Sequence, residues 1–358
     1  MVGKVHHTVT HSLQGAPVTC VRFKNGTDFG QMDDGGVSRQ VSFVAGTSDG
    51  VRLFACGGGG VADAANVAKV SQVAQVALRR VAHLCFDARD SLLVAHGGNV
   101  LSMLQCKANS LSLAHSVSLP CSSISRIAVQ DSYSPSSSSL LSAACEDGSV
   151  SFVDLAHMRQ INAIGSADSA AITGIQWLTI NELAISTDAG RVAILDHRAN
   201  SSKAVHSFHD LRDVSAVLNC IAVHPTQKTT LATGSADGAV KVWDLRSTKE
   251  PEVKSKVWDH NSKEPEVKSF SLHSSDVWDL VFPKTNAYTL ACCSQDGLIS
   301  HFTWNYNNPD GFEMPGKNPS AINKISGQGL PVNSLDCHDE QPLLVAAGDA
   351  GQVILTEI

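Results

Sequence analysis

A turn of the form Asp-Gly, or a near relative of it, returns seven times along this chain, at Gly50, Gly98, Gly148, Gly190, Gly238, Gly297 and Gly351. Each turn follows an apolar stretch of small residues and precedes an alternating one, so each reads as the hairpin between two strands. A tight hairpin needs positive φ, which Gly takes without steric cost and Asp or Asn tolerates. The glycines stand 48, 50, 42, 48, 59 and 54 residues apart, within or above the roughly 40 to 45 residues of a four-stranded blade. The expectation is an all-β chain folded as a seven-bladed WD-repeat β-propeller, one body over residues 1–358.

The fifth unit is the most complete: Leu218-Asn-Cys-Ile-Ala-Val-His-Pro225, then Leu231-Ala-Thr-Gly-Ser-Ala-Asp-Gly-Ala-Val-Lys-Val-Trp-Asp244. In this repeat type His209, Ser235, Asp237 and Trp243 are expected to form a hydrogen-bonded chain beside the Gly238 turn. It ties the outer turn to the third strand and satisfies polar groups buried between blades. The sixth unit keeps His273, Asp296 and Gly297 but has Phe302 in the Trp place, and the fourth has Asp188-Ala-Gly190 before Ile194-Leu-Asp196. Blades without the full polar chain rely more on apolar packing. All of these residues read as structural, not catalytic. The second unit, Ala95-His-Gly-Gly-Asn-Val100, is the least regular of the seven.

A propeller leaves no open edge when a strand from one terminus completes the blade at the other. The seventh unit stops at its third strand, Val353-Ile-Leu-Thr-Glu-Ile358, with nothing left for a fourth. Lys4-Val-His-His-Thr-Val-Thr-His11 is rich in β-branched residues and precedes the first inner strand, Val18-Thr-Cys-Val-Arg-Phe23. It is assigned to the outer edge of blade seven.

The insertions fall unevenly. Residues 25–40, 56–66, 132–139, 247–269 and 305–323 all lie in connections between first and second or third and fourth strands, which share one face of a propeller. Within them Lys249-Glu-Pro-Glu-Val-Lys-Ser255 returns as Lys263-Glu-Pro-Glu-Val-Lys-Ser269, a local duplication with a shift of 14. Its lysines balance its acidic residues, which suits a solvated loop. The outer strand of blade one is expected inside Val67–Leu78, a stretch that periodicity leaves open between helix and strand.

Other chemistry finds little support. Hydrophobic residues make up 43% of the chain, and 27 Lys and Arg face 34 Asp and Glu with no basic run, so the electrostatic footprint of a nucleic-acid binder is missing. No stretch of 18 apolar residues suggests membrane insertion, and the first residues lack the apolar core of a signal peptide. The ten cysteines form no C-x-x-C pair and read as small buried hydrophobes. His6 and His7 point to opposite faces of a strand, His7 and His11 sit roughly 13 Å apart on one, and Cys292-Cys293 splits between an inward contact and a neighbouring blade, so no metal site is expected. Gly57–Gly60 lacks the Lys-Ser or Lys-Thr and the β-α-β setting of a phosphate loop. Gly46-Thr-Ser-Asp-Gly50 matches a nucleophile elbow, but the alternating Val51-Arg-Leu-Phe54 follows instead of a helix, so Ser48 is a hairpin serine. No enzyme and no cofactor are expected.

Asp168–Trp177 through Asp196–Arg198, Leu218–Arg246, Val277–Pro283 with Ser294–Gly297, and Leu330-Pro-Val-Asn-Ser-Leu-Asp336 together resemble the nucleoporin forty-three family. These are small WD-repeat subunits of the Y-shaped outer-ring complex of the nuclear pore. The closing heptapeptide is the most telling piece, because WD proteins in general do not share it. The likeness covers roughly residues 160–358, is faint before that, and keeps the same order and spacing once one 14-residue copy is removed. It implies a non-catalytic scaffold at the nuclear pore that supports nucleocytoplasmic transport, and a presence at kinetochores in mitosis. The implied partners are α-solenoid nucleoporins of the short arm and another WD-repeat subunit, with no homo-oligomer required. A second reading comes from Trp243-Asp-Leu-Arg246, which fits the W-D-x-R pattern of substrate receptors for cullin-RING ubiquitin ligases, and from Asp196-His-Arg198, which fits it without the Trp. There Arg198 and Arg246 would contact the adaptor; otherwise they are exposed strand-end arginines.

Overall fold

A computed structural model of the chain describes residues 8–12, 17–24, 28–31, 37–57, 69–107, 109–130, 139–165, 170–199, 204–209, 217–249, 264–303, 321–326 and 329–358. All regular structure among them is β, in seven sheets. After β1 (Thr8–Ser12), blade one holds β2 (Val18–Phe23), β3 (Asp28–Gln31), β4 (Val37–Thr47), β5 (Gly50–Gly57) and β6 (Lys69–Ala77). Blade two holds β7 (Val81–Phe86), β8 (Ser91–His96), β9 (Val100–Lys107) and β10 (Ser110–Ser118), and blade three β11 (Ile124–Val129), β12 (Leu140–Cys145), β13 (Val150–Asp154) and β14 (Arg159–Ile164). Blade four holds β15 (Ile172–Trp177), β16 (Glu182–Thr187), β17 (Arg191–Asp196) and β18 (His206–His209), and blade five β19 (Leu218–Val223), β20 (Thr230–Ser235), β21 (Ala239–Lys249) and β22 (Glu264–Ser271). Blade six holds β23 (Val277–Val281), β24 (Thr289–Ser294), β25 (Leu298–Thr303) and β26 (Ala321–Ser326), and the chain ends with β27 (Val332–Cys337), β28 (Leu343–Gly348) and β29 (Gln352–Glu357).

The seventh sheet runs β27, β28, β29, β1, so the N-terminal strand does complete the last blade, with Thr8 opposite Thr356 and Ser12 opposite Gln352. Each sheet is an antiparallel meander, and the core lies between the sheets. Seven apolar clusters occupy the seven seams, among them Leu218 and Trp243 with Leu178 and Ala184 between blades four and five, and Phe43 and Phe54 with Val345 and Leu355 between blades one and seven. A blade in this arrangement is apolar on both faces, which is why its middle strands read as continuous runs such as Leu140–Cys145, buried throughout.

All seven turn glycines sit at the hairpins between second and third strands, six of them with φ between 60° and 94° and Gly50 near extended at 159°. The irregular second unit forms its hairpin like the others, through Gly97 and Gly98. The stretch left open between helix and strand is the strand β6. Three expected insertions are shorter than read. The segment 25–40 contains β3, paired with the extended start of β4; 247–269 contains the end of β21 and most of β22; and β26 begins inside 305–323. In the first two cases the hairpin arms continue beyond the blade because their residues keep the backbone ladder going, and polar composition alone does not reveal that. Glu264–Ser269 of the duplicated heptapeptide's second copy lie in the outer strand of blade five, where Glu264 pairs Lys249. Residues 6 and 7, 58–66, 132–138, 250–263 and 305–320 lie outside the described residues.

Candidate functional site

Trp243 is fully buried and its Nε1 donates to Thr233 Oγ1 at 3.0 Å, so the indole partner is Thr233 and not Ser235. The register explains the correction: Trp243 lies opposite Leu231, which puts Thr233 on the diagonal of the same face and Ser235 one further same-face step away. Ser235 Oγ donates instead to Val217 O at 3.3 Å, and Asp237 accepts the Ala239 N–H at 3.0 Å to pin the turn. His209 ends β18 opposite Arg191.

Blade six shows a fuller chain. His273 Nδ1 meets Asp296 Oδ2 at 3.0 Å and its Nε2 meets Cys292 Sγ at 3.3 Å, with Phe302 packed in the Trp place. Burial works to raise the Asp296 carboxyl, but the Ser274 and Leu298 N–H groups and the His273 ring outweigh it and hold the pKa below the usual range. Asp, His and Cys in this order have the connectivity of a nucleophilic triad. Cys292 is sealed, with no exposed surface, so no substrate carbonyl reaches its sulfur. Cys292 faces the blade five seam and Cys293 the blade seven seam, so both meet neighbouring blades.

The two candidate adaptor arginines are engaged locally. Arg246 donates from Nε and Nη2 to the two Asp244 oxygens at 3.0 and 2.9 Å, and Arg198 does the same to Asp196 at 3.0 and 2.7 Å. Each Asp also accepts its arginine's backbone N–H. The Arg198 hydrogen bonds hold Asp196 down to about 2. W-D-x-R and D-x-R here spell a self-closed bidentate turn at the end of a third strand.

Two sets of residues escaped the sequence reading. Every inner strand carries a bulge at the same place, after its first residue. The bulged residue sends its side chain across the seam: Thr19 Oγ1 to Val81 O (2.8 Å), Ser125 Oγ to Ile172 O (2.5 Å), Thr173 Oγ1 to Leu218 O (2.5 Å), Asn219 Nδ2 to Asp276 Oδ1 (3.2 Å) and Asn333 Nδ2 to Val18 O (3.0 Å). Ala82 and Trp278 hold the equivalent place at the other two seams. At the Trp278 seam the next residue acts, since Asp279 accepts from Ser334 Oγ at 3.0 Å. Aligning the seven inner strands by their first apolar residue would have shown this column of Thr, Ser and Asn.

The second set lines the central channel. Arg22 Nη1 donates to Val21 O, Ser334 Oγ, Leu335 O and Asp279 Oδ2 at 2.7, 2.9, 3.3 and 3.4 Å, and Nη2 to His83 Nε2 at 2.9 Å. Asp336 accepts the Phe23 N–H at 2.8 Å. Burial, then the nearby Arg22 and Arg126, hold His83 well below the ordinary imidazole pKa, so the ring is neutral and can accept from Arg22. Burial pushes Asp336 up to about 6 against the pull of Arg22. Burial alone would lower Arg22, but Asp279 and Asp336 outweigh it and keep the guanidinium charged.

Closed meander sheets, seam cores and the Trp-Asp repeat define the class: the chain is a WD-repeat β-propeller, and the WD domain, G-beta repeat, family matches residues 203–244 and 264–302. Within that class the chain is similar to proteins named Nup43. The chain is 26% identical over 165 residues to nucleoporin Nup43 of Mus musculus (46% of this chain, 39% of the mouse protein) and 26% over 157 residues to that of Homo sapiens (44% and 37%). It is 25% identical over 225 residues to nuclear pore complex protein nup43 of Dictyostelium discoideum (59% and 49%). Each match spans less than half the length of the relative.

Proposed function

We propose that this chain is a non-catalytic scaffold subunit of the outer-ring complex at the nuclear pore, acting as one propeller body that docks α-solenoid nucleoporins and a further WD-repeat subunit. The observation that carries the reading is the similarity to proteins named Nup43 in a mammal and in an amoeba. In this reading His209, Ser235, Asp237, Gly238, Trp243, Asp244, His273, Asp296 and Gly297 hold blades together and take no part in chemistry. The same resemblance extends the proposal to kinetochores in mitosis. The docking face is the one that carries the connections 58–68, 131–138, 250–263 and 304–320, since insertions gathered on one face of a repeat protein often mark its binding side.

Affinity purification from cell extract tests this. Outer-ring nucleoporins should co-purify, and shortening 304–320 to a Gly-Ser link should weaken their capture without changing thermal stability. Asp188→Lys, on a turn of the opposite face, should leave capture intact. Recovery of a cullin with its propeller adaptor in place of nucleoporins would favour the ubiquitin-ligase reading, against which the self-engaged Arg198 and Arg246 already weigh.

A further inference from the structure

We propose that the central channel holds a site for one small oxyanion, of the carboxylate or sulfate class, anchored by Arg126. The channel encloses a cavity of about 100 Å³ lined by Arg22, His83, Arg126, Gln176, Asp279 and Asp336, among others. That is the liquid volume of about three water molecules, enough for a single carboxylate or tetrahedral oxyanion. Its wall on the side of blades four and five combines the small Gly174 and Cys220 with Ile175, Gln176 and Ile221.

The hydrogen-bond inventory singles out one group. Arg22 has both terminal nitrogens committed, to Val21 O, Ser334, Leu335 O, Asp279 and His83. Asp279 is matched by Arg22, Ser334 Oγ and the Leu335 N–H, and Asp336 by the Phe23 N–H. Arg126 differs. It reaches from blade three across the channel to blade six, where Nη2 approaches Trp278 O at 3.5 Å, the one hydrogen bond the structure gives its side chain. A guanidinium carries five N–H donors in a planar fork that matches two oxygens of an oxyanion, so most of this fork is open to the cavity.

The titratable and charged groups around Arg126 are Arg22, the neutral His83, Asp279 and Asp336, with the un-ionised thiols of Cys20 and Cys220, while the inner strand of blade four contributes the uncharged Gln176. An arriving anion is repelled by Asp279 and Asp336 and attracted by both guanidiniums. Asp336 is the soft member of this set, since burial already pushes it up to about 6. Proton uptake by Asp336 removes one repulsion, so binding tightens as pH falls from 7 towards 5.5.

Sulfate titrated into the full chain, at ionic strength held constant with chloride, tests the site because sulfate itself does not titrate in this range. The readout is the arginine Nε–Hε NMR resonances. The wild-type protein should show a saturable shift of one arginine, tighter at pH 5.5 than at pH 7, and acetate in a parallel titration distinguishes a planar from a tetrahedral preference. Arg126→Gln should weaken binding about tenfold or more, and Arg126→Lys by less, because lysine keeps the charge but not the fork. Asp336→Asn, which keeps Arg126 and removes one negative charge, should tighten sulfate binding at pH 7. A non-saturating response shared by wild type and Arg126→Gln, or an unchanged affinity in Asp336→Asn, overturns the proposal.

Discussion

Two glycines with nearly the same backbone conformation should respond very differently to the addition of one carbon. Gly238 and Gly98 have φ of 83° and 94°, so an alanine at either place carries the left-handed strain of about 1–2 kcal/mol. At Gly98 the nearest atom to the new Cβ is Ser122 O at 3.8 Å, an ordinary contact, and strain is the whole effect. At Gly238 the Cβ would lie 2.2 Å from His273 O and 2.7 Å from its carbonyl carbon. These are backbone atoms, so the segment around His273 has to move. It is held there by its N–H on Gly238 O at 3.1 Å and by the His273 side chain on Asp296 and Cys292. Losing one neutral hydrogen bond and one to a charged group adds about 2–4 kcal/mol. Gly238→Ala should therefore cost about 3–6 kcal/mol and Gly98→Ala about 1–2. Urea unfolding followed by tryptophan fluorescence gives both values from the midpoints, and unfolding rates replace them if refolding fails. Equal losses in the two variants would refute the argument, because the close approach would then contribute nothing.

Deleting residues 1–12 removes β1 and exposes the edge of β29, so the truncated protein should melt earlier and become sensitive to protease near its C-terminus; unaltered melting would show that the ring does not depend on this strand. Thr173→Val keeps the shape but leaves Leu218 O without its 2.5 Å partner, for a loss of about 1 kcal/mol by urea titration, whereas Ala82→Ser should lose nothing. Asp336, raised from 3.8 to about 6, contributes stability that is complete below pH 3.8 and lost as pH rises through 6, while the depressed His83 contributes stability present above pH 6.5 and lost as pH falls. The two oppose each other between pH 4 and 6.5, so Asp336→Asn should steepen the rise of melting temperature with pH over that window; superimposable profiles would contradict the sign.

The seven hairpins were legible because a positive-φ turn restricts which residues can occupy it, and so writes Gly at fixed intervals whatever the rest of the blade does. Closure was legible because a β-branched segment precedes the first inner strand, and the structure pairs it with β29. Thr233 as the indole partner was not legible because Ser235 and Thr233 are both small hydroxyl residues of one strand, and only the register, Leu231 opposite Trp243, selects between them. The channel residues were invisible for a different reason. Arg22, His83, Arg126, Asp279 and Asp336 come from five blades, and no spacing within one repeat brings them together. Where the long insertions end was blurred because strand extension at β3, β21 and β22 needs only backbone pairing, and Asp28-Phe-Gly-Gln31 or Glu264-Pro-Glu-Val267 carries no strong strand signature.

The seam hydrogen bonds and the long insertions lie at opposite ends of the blades. The bulged residues Thr19, Ser125, Thr173, Asn219 and Asn333 sit near the start of each inner strand, beside the hairpin turns and the links from blade to blade. The connections 58–68, 131–138, 250–263 and 304–320 leave from the other end. A loop there can lengthen, even by duplicating 14 residues, without moving a group that holds one blade to the next, and its closure entropy grows only slowly with length. The ring also has two closures that do not depend on each other: β1 on β29 at the rim, and Asn333 to Val18 O with Phe23 N–H to Asp336 at the axis. In the proposed scaffold role this separation matters, because strain from a partner docked on the loops would reach the seams only through whole strands, which bend less readily than the loops do.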